Sequence, residues 1–194
     1  MERWFEMKLI YKGKFDGNPD SIPHGEHQPN AVKFKEAEDP KKLAVLANLL
    51  ALGLIVITLV LLFWRGGIGA YNFWGVAASL LMAFPHEILH AICFKGEVYL
   101  YTYWSKGMLF VTGPETMTKT RFVFMSMLPN LVFGFIPFIL FLINPNWGFL
   151  GTLGAFSIGM GAGDYYNVFN ALTQMPKGAK TYIYGFNSWW YMPE

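Results

Sequence analysis

The string His86-Glu87-Ile88-Leu89-His90 sets two imidazoles four positions apart with a carboxylate between them. On a helix, residues i and i+4 share a face, so His86 and His90 can grip one zinc ion while Glu87 reaches the water to be activated. That spacing suits metal-dependent hydrolysis, with the two histidines as ligands and Glu87 as general base. The string also sits inside segment 70–94, which otherwise reads as a membrane span. Three ionisable groups in hydrocarbon are costly, so a chain that keeps them there has a use for them.

A catalytic zinc needs a third protein ligand and an open position, and no other histidine falls in an apolar segment. The third ligand is therefore expected to be a carboxylate, and Asp164 is the acidic residue of the last apolar segment. Depth supports the pairing: Glu87 lies roughly 12 Å before Lys95 and Asp164 roughly 15 Å before Gln174, at about 1.5 Å per helical residue. The glycines from Gly148 to Gly163 would let that helix approach a neighbour closely. Pro85 removes a backbone donor and frees the carbonyl of Leu81, which predicts a kink beside the site, and Pro129 and Pro137 do the same in the third segment. Asn130 and Asn167 are the candidates to donate to substrate or to an oxyanion.

The elements that must hold these residues are membrane helices. At 194 residues the chain suits one domain, and 54% hydrophobic against 14% charged residues moves it out of the soluble globular class. Four segments, 43–64, 70–94, 122–143 and 149–172, are long enough to cross a bilayer. The first begins after a charged stretch, unlike a cleaved secretory signal. Of the 15 Lys and Arg, Arg65 alone falls on one side of these spans, so the positive-inside bias puts both termini and the middle loop in the cytosol. The net charge of +2 is thus a topology signal, and no basic patch points to nucleic acid. The expected fold is a mainly α, polytopic protein of the cell membrane. It has a cytosolic arm (1–42), a four-helix core (43–175) carrying a hairpin-like insert (97–118), and a cytosolic tail (176–194).

Outside the spans the pattern changes. Residues 4–15 alternate weakly and then meet Gly17 and Pro19, which suggests a strand or irregular arm followed by loop. Asp39-Pro40 has the form of a helix start, with Asp39 as N-cap. Tyr99, Tyr101 and Tyr103 alternate with Val98, Leu100 and Thr102, and Ser105-Lys106-Gly107 then interrupts, as in a β-hairpin turning near Gly107. This ribbon is either a surface connector or an edge to which an extended substrate segment adds as a strand. The tail, with Tyr182, Tyr184, Trp189, Trp190 and Tyr191, suits either the membrane interface or another strand. His24 and His27 fall in a Pro-rich loop and read as exposed. Cys93 excludes an internal disulfide and, about 10 Å along the helix from His86, reads as a small buried hydrophobe and not as a ligand.

The H-E-x-x-H string, the hairpin-like insert, the Pro-containing third segment and the Gly-rich run ending in Asp164 resemble a family of zincin peptidases described as a domain of unknown function. Through it the chain resembles the site-2 class of intramembrane zinc metalloproteases. The likeness covers most of 43–176. It implies a polytopic membrane fold, Zn2+ as cofactor, and cleavage of transmembrane or membrane-adjacent peptides with the lipid bilayer as surroundings. Site-2 proteases usually show the third ligand as Asp-Gly with an upstream Asn-Pro element, whereas Asp164 here follows Gly163 and precedes Tyr165. The competing expectation is a catalytically silent membrane adaptor with a structural metal site. A transporter finds no support, because no repeat symmetry appears.

Overall fold

The structure is a computed structural model, and it describes residues 7–36, 40–104, 107–185 and 187–193. The expected N-cap Asp39, the turn residues Ser105 and Lys106, and Trp4 at the head of the arm lie outside the described residues. The chain is mostly helical, with strands in two sheets, and it divides into two compact units.

One unit comprises Ala37–His86 and Ser126–Asn167 and is helical. Its first helix, α1 (Pro40–Gly66), exposes Leu46, Leu49, Leu52, Val56, Ile57 and Val60 around its surface, as a helix does when its solvent is lipid. Among the described residues, two helical stretches are long and apolar enough to cross a membrane, Lys42–Gly66 and Lys119–Ile143. Between the two stretches lie α2 (Phe73–Leu81) and α3 (Ala83–Ala91), and the second stretch is built from α4 (Lys119–Pro129), a π-helical turn (Asn130–Phe135) and α5 (Ile136–Ile143). Pro129 lacks an N–H, and the helix register widens directly after it without breaking the span.

The second expected span is not one straight rod. It starts at Phe73, capped by Asn72, whose Oδ1 accepts from the Gly75 N–H at 3.2 Å. It then bends by 45° between the stretches Ile68–Leu81 and Ala83–Ala91. The bend falls where Pro85 leaves the Leu81 carbonyl without its i+4 donor, and α3 restarts with the His86 N–H donating to the Met82 carbonyl at 2.8 Å. The fourth expected segment is also broken, at Gly161, into α6 (Gly148–Met160) and α7 (Ala162–Gln174), 13 residues each. The glycines of α6 act as the spacing suggests: a Cβ at Gly154 would stand 2.6 Å from the Phe138 nitrogen, and one at Gly159 2.3 Å from Ile55 Cγ1. The helices close on a core of Leu62, Ala70, Phe138, Phe141, Ala155 and Ile158.

The other unit comprises Met1–Glu36, Glu87–Met125 and Val168–Glu194. Its strands are β1 (Lys8–Lys14), β2 (Val32–Lys33), β3 (Glu97–Tyr103), β4 (Met108–Thr112), β5 (Met117–Thr118), β6 (Lys180–Tyr184) and β7 (Asn187–Tyr191). β3 and β4 pair antiparallel, Tyr103 facing Met108, with Gly107 at φ 61° in the turn. The ribbon is no mere surface connector, because the arm strand β1 pairs parallel to β3 and makes it the central strand of a β1-β3-β4 sheet. One face of β3 packs Tyr99 and Tyr101 with Phe15 and Ile22, while Val98 on the other face joins Phe94, Phe122 and Met125. The tail takes the strand alternative, forming a second sheet in the order β2-β7-β6-β5.

Glu36 follows β2 and takes the Ser188 N–H at 3.4 Å on Oε2; burial pushes its carboxyl above the ordinary range. The native state therefore keeps a proton that the unfolded chain has lost, and stability falls as pH rises from the unfolded value through the raised one. Glu36→Gln is expected to flatten that part of the profile, read as thermal midpoints in detergent between about pH 4 and about pH 7. An unchanged slope would count against this account.

Candidate metal centre

On α3, His86 and His90 stand one turn apart with Glu87 beside them, and one ligand atom from each of the three comes within 4.8 Å of the other two. His86 and Glu87 are half-buried and His90 is 7% exposed. The far end of this helix is tied down as well. Arg121 Nε donates to the Cys93 carbonyl at 2.9 Å and pairs with Glu115, whose Oε2 also accepts the Lys95 N–H at 2.7 Å.

The imidazole of His90 is oriented by a backbone carbonyl. Its Nδ1 lies 3.0 Å from the Met125 oxygen, which can only accept, so Nδ1 carries the proton and Nε2 keeps its lone pair for a ligand role. Met125 is four residues before Pro129, so within α4 its carbonyl has no i+4 donor. The proline thus supplies the acceptor that fixes the histidine. The proline rule that places a bend next to Pro85 also marks this carbonyl, although the partner across the fold was not legible.

His86 Nε2 meets Oδ2 of Asp164 at 3.1 Å, with side chains 19% and 14% exposed. The break at Gly161 puts Asp164 in the first turn of α7. Its N–H donates back to the Gly161 carbonyl at 2.9 Å. Asn130, 1% exposed, donates through Nδ2 to the same Asp164 Oδ2 at 2.7 Å and to the Ser126 carbonyl at 3.0 Å. Asn167 lies three residues beyond Asp164 on α7 and is half-buried. Glu87 Oε2 accepts the N–H of Val111 on β4 at 3.0 Å, a partner that the sequence pattern gave no reason to name. A small pocket lined by Ser79, Phe133, Ser157 and Met160 opens beside His86.

Residues 79–180, just over half of the chain, match the profile of a family described as "Putative zincin peptidase" (DUF3267). The chain belongs to this family. No curated protein and no solved structure matches it. The zincin match spans His86, Glu87, His90, Asn130, Asp164 and Asn167, and membership points to a zinc metallopeptidase. The donors present fit such an ion: imidazole nitrogen and carboxylate oxygen are zinc ligands, and α3 alone brings three of them together.

Pro129→Ala returns an N–H that competes with His90 for the Met125 carbonyl. We expect zinc affinity, measured by chelator competition, to fall about tenfold or more, the usual cost of losing a group that orients a ligand. Affinity equal to wild type would show that the carbonyl does not set the ring.

Proposed function

We propose that this zincin-family chain is a zinc-dependent intramembrane peptidase of the site-2 type, hydrolysing peptide bonds in membrane-embedded or membrane-adjacent substrates. The observation that supports the proposal is the contact between His86 of the H-E-x-x-H helix and Asp164 of α7, a carboxylate from a segment 78 residues away that would add the acid to a two-histidine donor set. His86, His90 and Asp164 would hold the ion. When bound, zinc supplies Lewis acidity, polarising the scissile carbonyl and making water more acidic.

The chain's own groups do the rest. Glu87 accepts the proton of the attacking water and delivers it to the leaving amine, so that one O–H and one C–N bond break while one C–O and one N–H bond form. Its hydrogen bond from the Val111 N–H holds the carboxylate beside the edge strand β4. A substrate helix hides its peptide bonds in its own hydrogen bonds, so a segment must unwind before water attacks. An unwound segment can add to the edge of β4, which is a terminal strand of its sheet, and this brings its backbone to the strand whose Val111 already meets Glu87. Asn167, one turn beyond Asp164, is our candidate to donate to the substrate carbonyl.

We further propose four crossings, with α2 and α3 forming one broken span and α6 and α7 another, and with the arm and tail in the cytosol. Support comes from the bend of α2–α3, the apolar character of α6 and the one-sided distribution of Lys and Arg.

In purified full-length protein we expect stoichiometric zinc, lost in Asp164→Ala. Glu87→Gln should keep the zinc and lower peptide cleavage by about 10²-fold or more, as expected when a positioned base is removed. Cleavage intact in Glu87→Gln would sink the enzymatic proposal, and a cellular phenotype that depends on the chain but survives Glu87→Gln would favour a silent adaptor.

A further inference from the structure

We infer that Asn130 is a positioning residue for Asp164, and that residue 161 is glycine because any side chain there would take the place of the Asn130 amide. The inference rests on the zinc reading proposed above.

Asn130 is one of the most completely buried polar side chains among the described residues, at the start of the π-helical turn. An amide at that depth persists only if its hydrogens are used. Both are. One goes to the Ser126 carbonyl at 3.0 Å, one turn back on its own helix, and the other to Asp164 Oδ2 at 2.7 Å. A carbonyl and a carboxylate both accept, so the amide has one allowed orientation, Nδ2 toward the two oxygens and Oδ1 away. The Ser126 bond makes the donor rigid, and the second bond then fixes where the carboxylate stands.

This leaves no donor for an oxyanion, the other role that the sequence allows Asn130. The neutrality of the amide is also informative. Lys or Arg at 130 would hold Asp164 but cancel its charge, whereas an amide holds the carboxylate and leaves its negative charge for a cation.

Gly161 gives the second, independent observation. An ideal Cβ there would lie 1.6 Å from Asn130 Oδ1 and 2.5 Å from Cγ, so a side chain at 161 and the amide of Asn130 exclude each other. Oδ1, pressed against this glycine, is buried without a hydrogen-bond partner. An orphaned acceptor is a standing cost in a dry site. The arrangement accepts that cost on one end of the amide and gains the contact to Asp164 on the other.

The test uses the full-length chain in detergent, zinc affinity from chelator competition, and the visible spectrum of the cobalt(II)-substituted protein, which reports ligand geometry without turnover. Asn130→Asp, nearly isosteric, replaces the donor by an acceptor facing Asp164; Asn130→Ala removes it; Gly161→Ala displaces it. Each is expected to weaken zinc binding by about 10- to 100-fold and to shift the cobalt bands. The double variant Asn130→Ala/Gly161→Ala should bind no more weakly than Asn130→Ala alone, because no amide remains to displace. A folded Asn130→Asp or Gly161→Ala with wild-type affinity and spectrum would overturn the inference, as would loss of helical circular dichroism in all three single variants, which would make Asn130 a residue of the fold. Wild type without zinc fails the zinc reading and this inference together. Wild type with zinc that Asp164→Ala loses and Asn130→Asp keeps fails this inference alone.

Discussion

A charged or titratable side chain taken out of water survives only if the protein itself supplies what water would have given it, and this condition governs the arrangement around the H-E-x-x-H helix. His86 has the Asp164 carboxylate, His90 the Met125 carbonyl, Glu87 a strand amide, and Asp164 the amide of Asn130. Each partner comes from a place where regular structure is interrupted or ends. The Met125 carbonyl is unclaimed because of a proline, Asp164 lies just past a helix break, and Val111 sits on an edge strand. Unbroken spans would have spent all their backbone groups internally and had none to give.

The helix breaks therefore do more than shape the fold. The bend ahead of His86 and the interruption at Gly161 both fall within a few residues of a proposed ligand. The second of these places a carboxylate in the first turn of a helix, against a side chain of another. Short helices with free ends are costly away from water unless side chains or neighbouring helices take up the loose groups, and the glycines of α6 allow neighbours near enough to do so.

How far the residues alone announced this depends on the range of the interaction. The H-E-x-x-H spacing is local, so the face shared by His86 and His90 was legible, and so was the bend expected near Pro85. Asp164, which meets His86, stood out because it is the acidic residue of an apolar segment, a matter of composition. The alternation of Tyr99, Tyr101 and Tyr103 announced a strand, yet not that β1 would pair parallel to it from across the chain, since parallel pairing leaves no turn signature. The single helix expected over 149–172 came out broken at Gly161, and the kinked one expected over 70–94 came out as two helices. Hydropathy averages over a window and does not register one glycine. Nor could it show that the amide of Asn130 would spend both donors inside the protein.

The position of β7 governs the order of assembly. It lies between β2 and β6, with Trp190 opposite Val32 and Trp189 opposite Lys33. At a ribosomal pace of about 5–20 residues per second, the early partner waits on the order of ten seconds for the late one. In that interval the intervening apolar helices leave the ribosome, so they are made before this sheet can close. The closing of β7 onto β2 is thus a late event in the biogenesis of the molecule, a clasp that waits for every residue between its two strands.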